Sequence, residues 1–353
     1  MRQSKRDYNR IVVKIGSSLL FYEKMELNHG FFRSISEQVN NLFNEGREII
    51  LVSSGAIAFG INALNLKKRP KELYLLQAAA AIGQNRLMYT YQRIFGRRVH
   101  VAQILLTRDD FNDRRRYLNA KNTICTLLKY GSIPIVNEND TVSTDEIKFG
   151  DNDRLSAMVA SLISADILII LSDVDGLIDR QNKIVNVVDK ITPQIKALAC
   201  FTDREVCVGG MVTKIEAAKI AVDSGIPCVI ANGYRKNIIE LVLKEPFKYG
   251  TLFLPKETLA ARKRWIAFAT EPQGKIVVDE GAKSALINKK SLLSVGVVAV
   301  EGDFEEGDVV SVVDVRQQEF ARGKVGFSRI ELEKVKGKRY PKEVIHCDNI
   351  VIL

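Results

Sequence analysis

The stretch FGDNDRLSA (149–157) carries Asp151 and Asp153 on either side of Asn152, after a glycine and before an apolar run. Capping accounts for part of this pattern. Asp151 or Asn152 can accept a backbone N–H as N-cap, and Asp153 then stands in the first helical turn, facing the positive end of the dipole. Neighbouring motifs add a second reading. VVKIGSS (12–18) sets Lys14 inside an apolar strand and two hydroxyl residues behind Gly16. A glycine turn frees backbone N–H groups to approach a phosphate, and the lysine supplies a point charge; alone, Lys14 reads equally well as an edge-strand lysine reaching solvent. VGGMVTKIEAAKIA (208–221) places Gly209 and Gly210 before a helical segment, with Thr213 and Lys214 at its start. The dipole disfavours a lysine there unless an anion is held at the same helix end. A plain glycine loop before an amphipathic helix is the alternative.

SDVDGL (172–177) closes an apolar run with Asp173 and Asp175, acids that either meet a nucleotide or metal or shape an Asx turn ending in Gly176. NEND (137–140) packs amides and carboxylates directly behind IPIV, with no helical pattern at once after it. Polar groups gathered at such a strand end meet a ligand or cap a helix. Two lysines, three glycine-bearing turns and several Asp and Asn groups together suit phosphoryl transfer, which is mainly positioning and charge neutralisation, with Mg2+ spanning phosphate oxygens. No His, Cys or activated Ser pairs with a base as a nucleophile. An acceptor that is itself a carboxylate needs no general base, because it is ionised at neutral pH.

The elements that must position these groups alternate. Strand-like runs fall at 10–16, 47–55, 132–140, 166–176 and 226–233, and helical patterns such as 30–46, 75–95 and 152–165 lie between them. This predicts an α/β fold with a mostly parallel sheet sandwiched by helices, binding ligands at the carboxyl ends of the strands, where the polar residues above sit. PKETLAARKRW (255–265) is charged, carries a proline and marks a change of texture. Shorter, glycine-punctuated units follow it, predicting a second, small β-rich, barrel-like domain with one short helix near 281–287. The expected domains are 1–258 and 273–353.

Composition fits a folded protein: 353 residues, 46% hydrophobic and 27% charged, enough for one large and one small domain. The opening MRQSKRDYNR is polar, without an apolar signal core behind it, and stretches such as ADILIILSDVDGL are too short to span a bilayer. The expected place is the cytoplasm, with no membrane partner. Five cysteines (125, 200, 207, 228, 347) without Cys-x-x-Cys and three scattered histidines (29, 100, 346) suggest neither a disulfide framework nor a zinc site. The net charge of +10 is uneven: 39 Lys+Arg stand against 28 Asp+Glu before Trp265, and 13 against 14 from there on. A basic excess in the first part favours phosphate handling, and the balanced tail weakens a nucleic-acid role.

VVKIGSS, VSSGAIAFG, QAAAAIGQNRLM, AQILLTRDDFNDRRRYLNA, IPIVNENDTV, FGDNDRLSA, LSDVDGL and GGMVTK occur in an order and spacing that resembles the glutamate 5-kinase family of the amino acid kinase superfamily. The tail, with VDEGAKSAL, GDFEEGDVV, ARGKVGFS and IHCDNIVIL, resembles the PUA domain appended to many of those enzymes. The resemblance implies an amino acid kinase fold and ATP-dependent phosphorylation of the γ-carboxylate of L-glutamate to glutamyl 5-phosphate, the first step of proline biosynthesis. It implies ATP with Mg2+, and no protein side chain is assigned as a metal ligand. Lys14 and Lys214 would neutralise charge on the moving phosphoryl group and Asp153 would organise them. Ser54, Asp140 and Asn152 match glutamate-binding positions, with Asn137 and Asp151 adjacent. Lys14, Ser172, Asp173 and the run Val208, Gly209, Gly210, Met211, Val212, Thr213 and Lys214 match ATP contacts. An acidic group awaiting an ammonium favours the free amine over N-acetylglutamate as acceptor.

The same resemblance implies inhibition by proline through the glutamate-site region, a dimer or tetramer, and hand-over of the labile acyl phosphate to glutamyl phosphate reductase. The chain departs from the family pattern after DVDGL, where IDRQNKIVN replaces the usual tyrosine and Asp-Pro pair. A different class, an RNA-binding or RNA-modifying protein, is prompted by the PUA-like tail. The tail's balanced charge and the lack of a catalytic module for RNA speak against it, so RNA is not an expected partner.

Overall fold

The computed structural model describes residues 8–22, 26–97, 99–142, 152–199, 210–255, 266 and 272–353. The chain divides into two compact units, one of Met1–Asp110 with Arg114–Thr258 and one of Leu259–Leu353 with Phe111–Asp113.

The first unit is built on an eight-stranded sheet in the order β3-β4-β2-β1-β5-β7-β8-β6. The strands are β1 (Arg10–Ile15), β2 (Glu48–Ser53), β3 (His100–Leu106), β4 (Ser132–Glu138), β5 (Ile167–Ser172), β6 (Val187–Val188), β7 (Cys228–Asn232) and β8 (Thr251–Phe253). From β3 to β7 all neighbours run parallel, and β8 pairs antiparallel to β7. Side chains on both faces of β1, β2, β4 and β5 are buried, which is why these strands read as nearly unbroken apolar runs. Parallel pairing places the carboxyl ends of β4, β2, β1, β5 and β7 along one edge, so that Glu138, Ser53, Ile15, Ser172 and Asn232 end side by side.

Patterning does not mark β3, β6 and β8. β3 is an edge strand with His100 and Gln103 exposed, so it lacks a continuous apolar run; β6 and β8 span two and three residues.

Two features of the helical layer matter for the site. The helices Ala56–Ala63 and Leu73–Phe95 cross at glycines: a Cβ on Gly83 would stand 1.7 Å from the Ala56 carbonyl oxygen, and one on Gly60 1.8 Å from that of Ala79. Only glycine permits that backbone approach. The helix Asn152–Ile163 packs on both β1 and the helix Met211–Asp223, and most of its residues are buried.

The second unit holds a five-stranded sheet in the order β10-β9-β11-β12-β13: β9 (Gly274–Val278), β10 (Val297–Gly302), β11 (Val309–Val313), β12 (Glu319–Lys324) and β13 (Ile350–Ile352). β9 and β11 pair parallel, the other neighbours antiparallel. Ile276, Val310, Val312, Phe304 and Leu332 belong to its own core. The expected helix is present as Glu280–Ile287, capped by Asp279. A second helix, Arg329–Val335, corrects the expectation of a single one. Its charged sequence hides the apolar periodicity, yet the Ser328–Glu331 capping box that starts it was legible as S-x-x-E.

Candidate active site

Lys14 interrupts the apolar run of β1 one residue before its end and is 6% exposed. Its Nζ lies 2.6 Å from Asp153 Oδ1. Lys214, in the first turn of the helix Met211–Asp223 and 8% exposed, approaches Asp153 Oδ2 at 3.6 Å and donates to the Gly210 carbonyl at 3.2 Å. Thr213 Oγ1 donates to the same carboxylate oxygen at 2.8 Å. The packing of helix Asn152–Ile163 against β1 and against the helix Met211–Asp223 brings these three segments together.

Two buried ammonium groups share one carboxylate. Burial pushes the Asp153 carboxyl up, but the Lys14 and Lys214 charges and the Thr213 bond outweigh this and hold it below the usual carboxylate value. Asp153 is therefore ionised at neutral pH, and among the described residues the cluster carries one positive charge more than it neutralises. Such a group, beside a helix N-terminus whose N-cap, Gly210, brings no side-chain acceptor of its own, can receive an anion. The helix itself begins at Asn152 with Asp153 in its first turn, and the Asp153 carboxylate points to lysines.

One residue earlier, an amide cluster begins. Asn152 Nδ2 donates to Ser54 Oγ and to Asn137 Oδ1, each at 3.0 Å. Ser54 follows the end of β2 and precedes Gly55, whose φ of 109° lets the chain turn into helix Ala56–Ala63. Asn137 ends β4 beside Glu138, both buried, and half-buried Asp140 lies in the turn directly after.

At the end of β5, Ser172 Oγ donates to exposed Asp173 at 2.9 Å, and Asn232 Nδ2 donates to exposed Asp175 at 3.1 Å. Tyr234 donates to the Ser18 carbonyl at 2.8 Å; burial and then the Asp173 charge raise its phenol pKa. Gly16 separates this group from the lysines: its N–H donates to the Leu171 carbonyl, and a Cβ there would meet that oxygen at 3.2 Å and Lys14 Nζ at 3.8 Å. The departure after DVDGL is a tight turn in which Asp179 Oδ1 accepts from the N–H groups of Gln181 and Lys183, with Asn182 left-handed.

Thus Lys14, Lys214, Asp153 and Thr213 form one group and Ser54, Asn137 and Asn152 another, joined through consecutive residues 152 and 153. Ser172 and Asp173 form a third at the neighbouring strand end, and Gly210, Met211 and Val212 open the helix that carries Lys214. Asp151, Val208 and Gly209 lie outside the described residues. Sequence reasoning missed Gln84, Tyr91, Asn232 and Tyr234. Gln84 and Tyr91, seven residues apart on one helix face, bond Asn137 Nδ2 at 2.9 Å and Ser53 Oγ at 2.8 Å; a glutamine directly behind Ala-rich AAAAIG was the available signal.

A parallel sheet whose polar strand ends gather two lysines around an acid is the architecture of a phosphoryl-transfer enzyme, and comparison with known proteins agrees. Residues 9–232 match the model of the amino acid kinase family, and residues 274–347 that of the PUA domain. The chain belongs to the amino acid kinase family, with a PUA domain behind its kinase part. It is similar to proteins named glutamate 5-kinase: 47% identical to that of Thermoanaerobacter sp. (strain X514) over 98% of both chains. Identity to those of Caldanaerobacter subterraneus subsp. tengcongensis and Geobacter metallireducens is 46%, over 98% of this chain and 98% and 97% of theirs.

Proposed function

We propose that this protein transfers the γ-phosphoryl group of ATP to the γ-carboxylate of L-glutamate, giving L-glutamyl 5-phosphate at the entry to proline biosynthesis. The observation that carries the reading is the Lys14–Asp153–Lys214 cluster, lying one residue from the Ser54–Asn137–Asn152 amide group, in a chain alike over its whole length to glutamate 5-kinases.

An ionised acceptor carboxylate attacks the γ-phosphorus and the bond to the β-phosphate oxygen breaks, with ADP leaving on that oxygen. No proton moves, so no general base is required. Lys14 and Lys214 neutralise the oxygens of the phosphoryl group in flight, and Asp153 fixes both ammonium groups where that charge develops. Ser54, Asn137, Asn152 and Asp140, with Asp151, bind glutamate; Ser172, Asp173 and the segment from Val208 to Lys214 bind ATP. Mg2+ neutralises the ATP phosphates when bound. The exposed carboxylates Asp173 and Asp175 would offer oxygen donors of the kind a hard cation takes.

The kinase domain on this reading is 1–258, and the PUA domain is 273–353. Further parts of the proposal are a dimer or tetramer, inhibition by proline at the glutamate pocket, cytoplasmic location and hand-over of the water-labile product to glutamyl phosphate reductase. Exposed Tyr74, Leu75, Ile82 and Tyr89 on the helix Leu73–Phe95 support self-association, and among the described residues no helix is long and apolar enough to cross a membrane.

The test is ADP release with the acyl phosphate trapped by hydroxylamine. Hydroxamate should form with glutamate and not with N-acetylglutamate; ADP release without glutamate-dependent hydroxamate removes the assignment. Titrating proline into the same assay should lower the rate, and a flat response removes the feedback claim.

A further inference from the structure

We infer that Gln84 is a positioning residue for the acceptor pocket, holding Asn137 so that Asn152 keeps its carbonyl oxygen turned to a hydrogen-bond donor of the ligand. The inference rests on the glutamate-site reading above.

Four side-chain amides and one backbone group form a continuous chain. The Glu138 N–H donates to Asn137 Oδ1 at 2.9 Å. A backbone N–H is only a donor, so this bond fixes which end of the Asn137 amide is oxygen. Asn137 Nδ2 must then face Gln84, which presents Oε1 at 2.9 Å, and Gln84 Nε2 in turn donates to Gln103 Oε1 at 3.1 Å. On the other side, Asn152 has to offer Nδ2 to Asn137 Oδ1, and it shares that group with Ser54. Every amide orientation follows from one backbone donor.

The far end of this chain is unfinished. Asn152 is 6% exposed, and its Oδ1 is buried with no hydrogen-bond partner among the described residues. A buried acceptor without a partner is rare and costly, and its fixed polarity selects a donor such as the ammonium of an amino acid. Gln84 anchors the opposite end of Asn137. It is 8% exposed, on a helix drawn close by the Gly60 and Gly83 crossing. Losing its Oε1 leaves Asn137 Nδ2 without that partner, so Asn137 is anchored only through the oxygen it shares with the Glu138 N–H and Asn152, and the hold on Asn152 loosens.

Steady-state kinetics of full-length Gln84→Met and Gln84→Ala test this, with hydroxamate as readout. Both substitutions suit a helix interior, and alanine favours it most. The KM for glutamate should rise about tenfold, the size of one hydrogen bond to a charged group, while kcat and the ATP KM stay within about threefold. Gln84→Glu should restore the glutamate KM, since a neutral carboxyl reproduces both bonds and an ionised one keeps the acceptor. In an Asn137→Ala background, Gln84→Met should add no further rise. An unchanged glutamate KM in both variants, an additive effect in that background, or an equal shift in the ATP KM overturns the inference. A wild-type enzyme that forms no glutamyl hydroxamate overturns the acceptor reading and the inference with it; an active wild type with insensitive Gln84 variants overturns the inference alone.

Discussion

Asp314, in the turn between β11 and β12, and Asp153, at the start of helix Asn152–Ile163, are both buried and both grip lysine. Asp314 meets one lysine, Lys283, at 2.7 Å, and its other oxygen accepts the N–H groups of Arg316 and Gln318 at 2.9 and 3.0 Å. Lys283 is partly exposed and also lies over the Phe320 ring. Charge is balanced there and both carboxylate oxygens have partners, so the group staples a hairpin turn and asks for nothing more. Asp153 faces two buried lysines and, among the described residues, leaves a charge over. The residue types are the same; the difference lies in stoichiometry and burial, and an imbalance kept away from water is what marks a site built for an anion.

Asp153→Asn probes that difference hardest. Removing the shared carboxylate leaves two buried ammonium groups without their counter-charge, which should cost about 3–5 kcal/mol of folding stability, read by denaturant unfolding, together with a large loss of turnover. If stability and turnover both stay near wild type, the cluster is not the centre of the site. Next in size, Asp140→Ala should raise the glutamate KM by about tenfold or more with the ATP KM unchanged; a change confined to ATP would place that residue on the wrong side of the pocket.

The pH dependence of stability sharpens the same contrast. The Asp153 carboxyl is raised by burial and lowered further than that by Lys14 and Lys214, so its folded pKa lies below the ordinary 3.8. The stabilisation it brings is complete above the unfolded value and is lost as pH falls through the folded one. Unfolding of Asp153→Asn should accordingly be flatter with pH on the acid limb than that of the wild type; parallel curves would contradict the assignment. The smallest effect is expected from Asp314→Asn. Its carboxyl is lowered by the Lys283 bond and then by the Gln318 and Arg316 N–H groups, so substitution should lower the unfolding midpoint of the C-terminal unit while glutamate turnover stays at the wild-type level. A fall in turnover there would mean that the PUA domain takes part in the chemistry.

Much of this was legible in the residues. Lys14 inside an apolar strand and Lys214 behind two glycines announced themselves because each breaks a local rule of burial or dipole, whereas Asp153 at a helix start obeys the dipole and stood out only through its neighbours Asp151 and Asn152. The central strands were legible because burial on both faces writes continuous β-branched runs. Edge strand β3 escaped, since solvent on one side removes that run, and so did the helix Arg329–Val335, whose charged face masks its period. Gln84 and Tyr91 were hidden for another reason. Their partners, Asn137 and Ser53, lie 53 and 38 residues away in the chain, and the helix crossing that joins them depends on Gly60 and Gly83, ordinary residues until their neighbours are known.

The most direct test of the central claim is the single-turnover rate of phosphoryl transfer to glutamate in Lys214→Ala against wild type, with both substrates saturating. The surplus lysine charge predicts a fall of roughly 10²-fold or more, the scale of losing one donor to the transition state, with glutamate affinity kept. A near-normal transfer rate in that variant would contradict it.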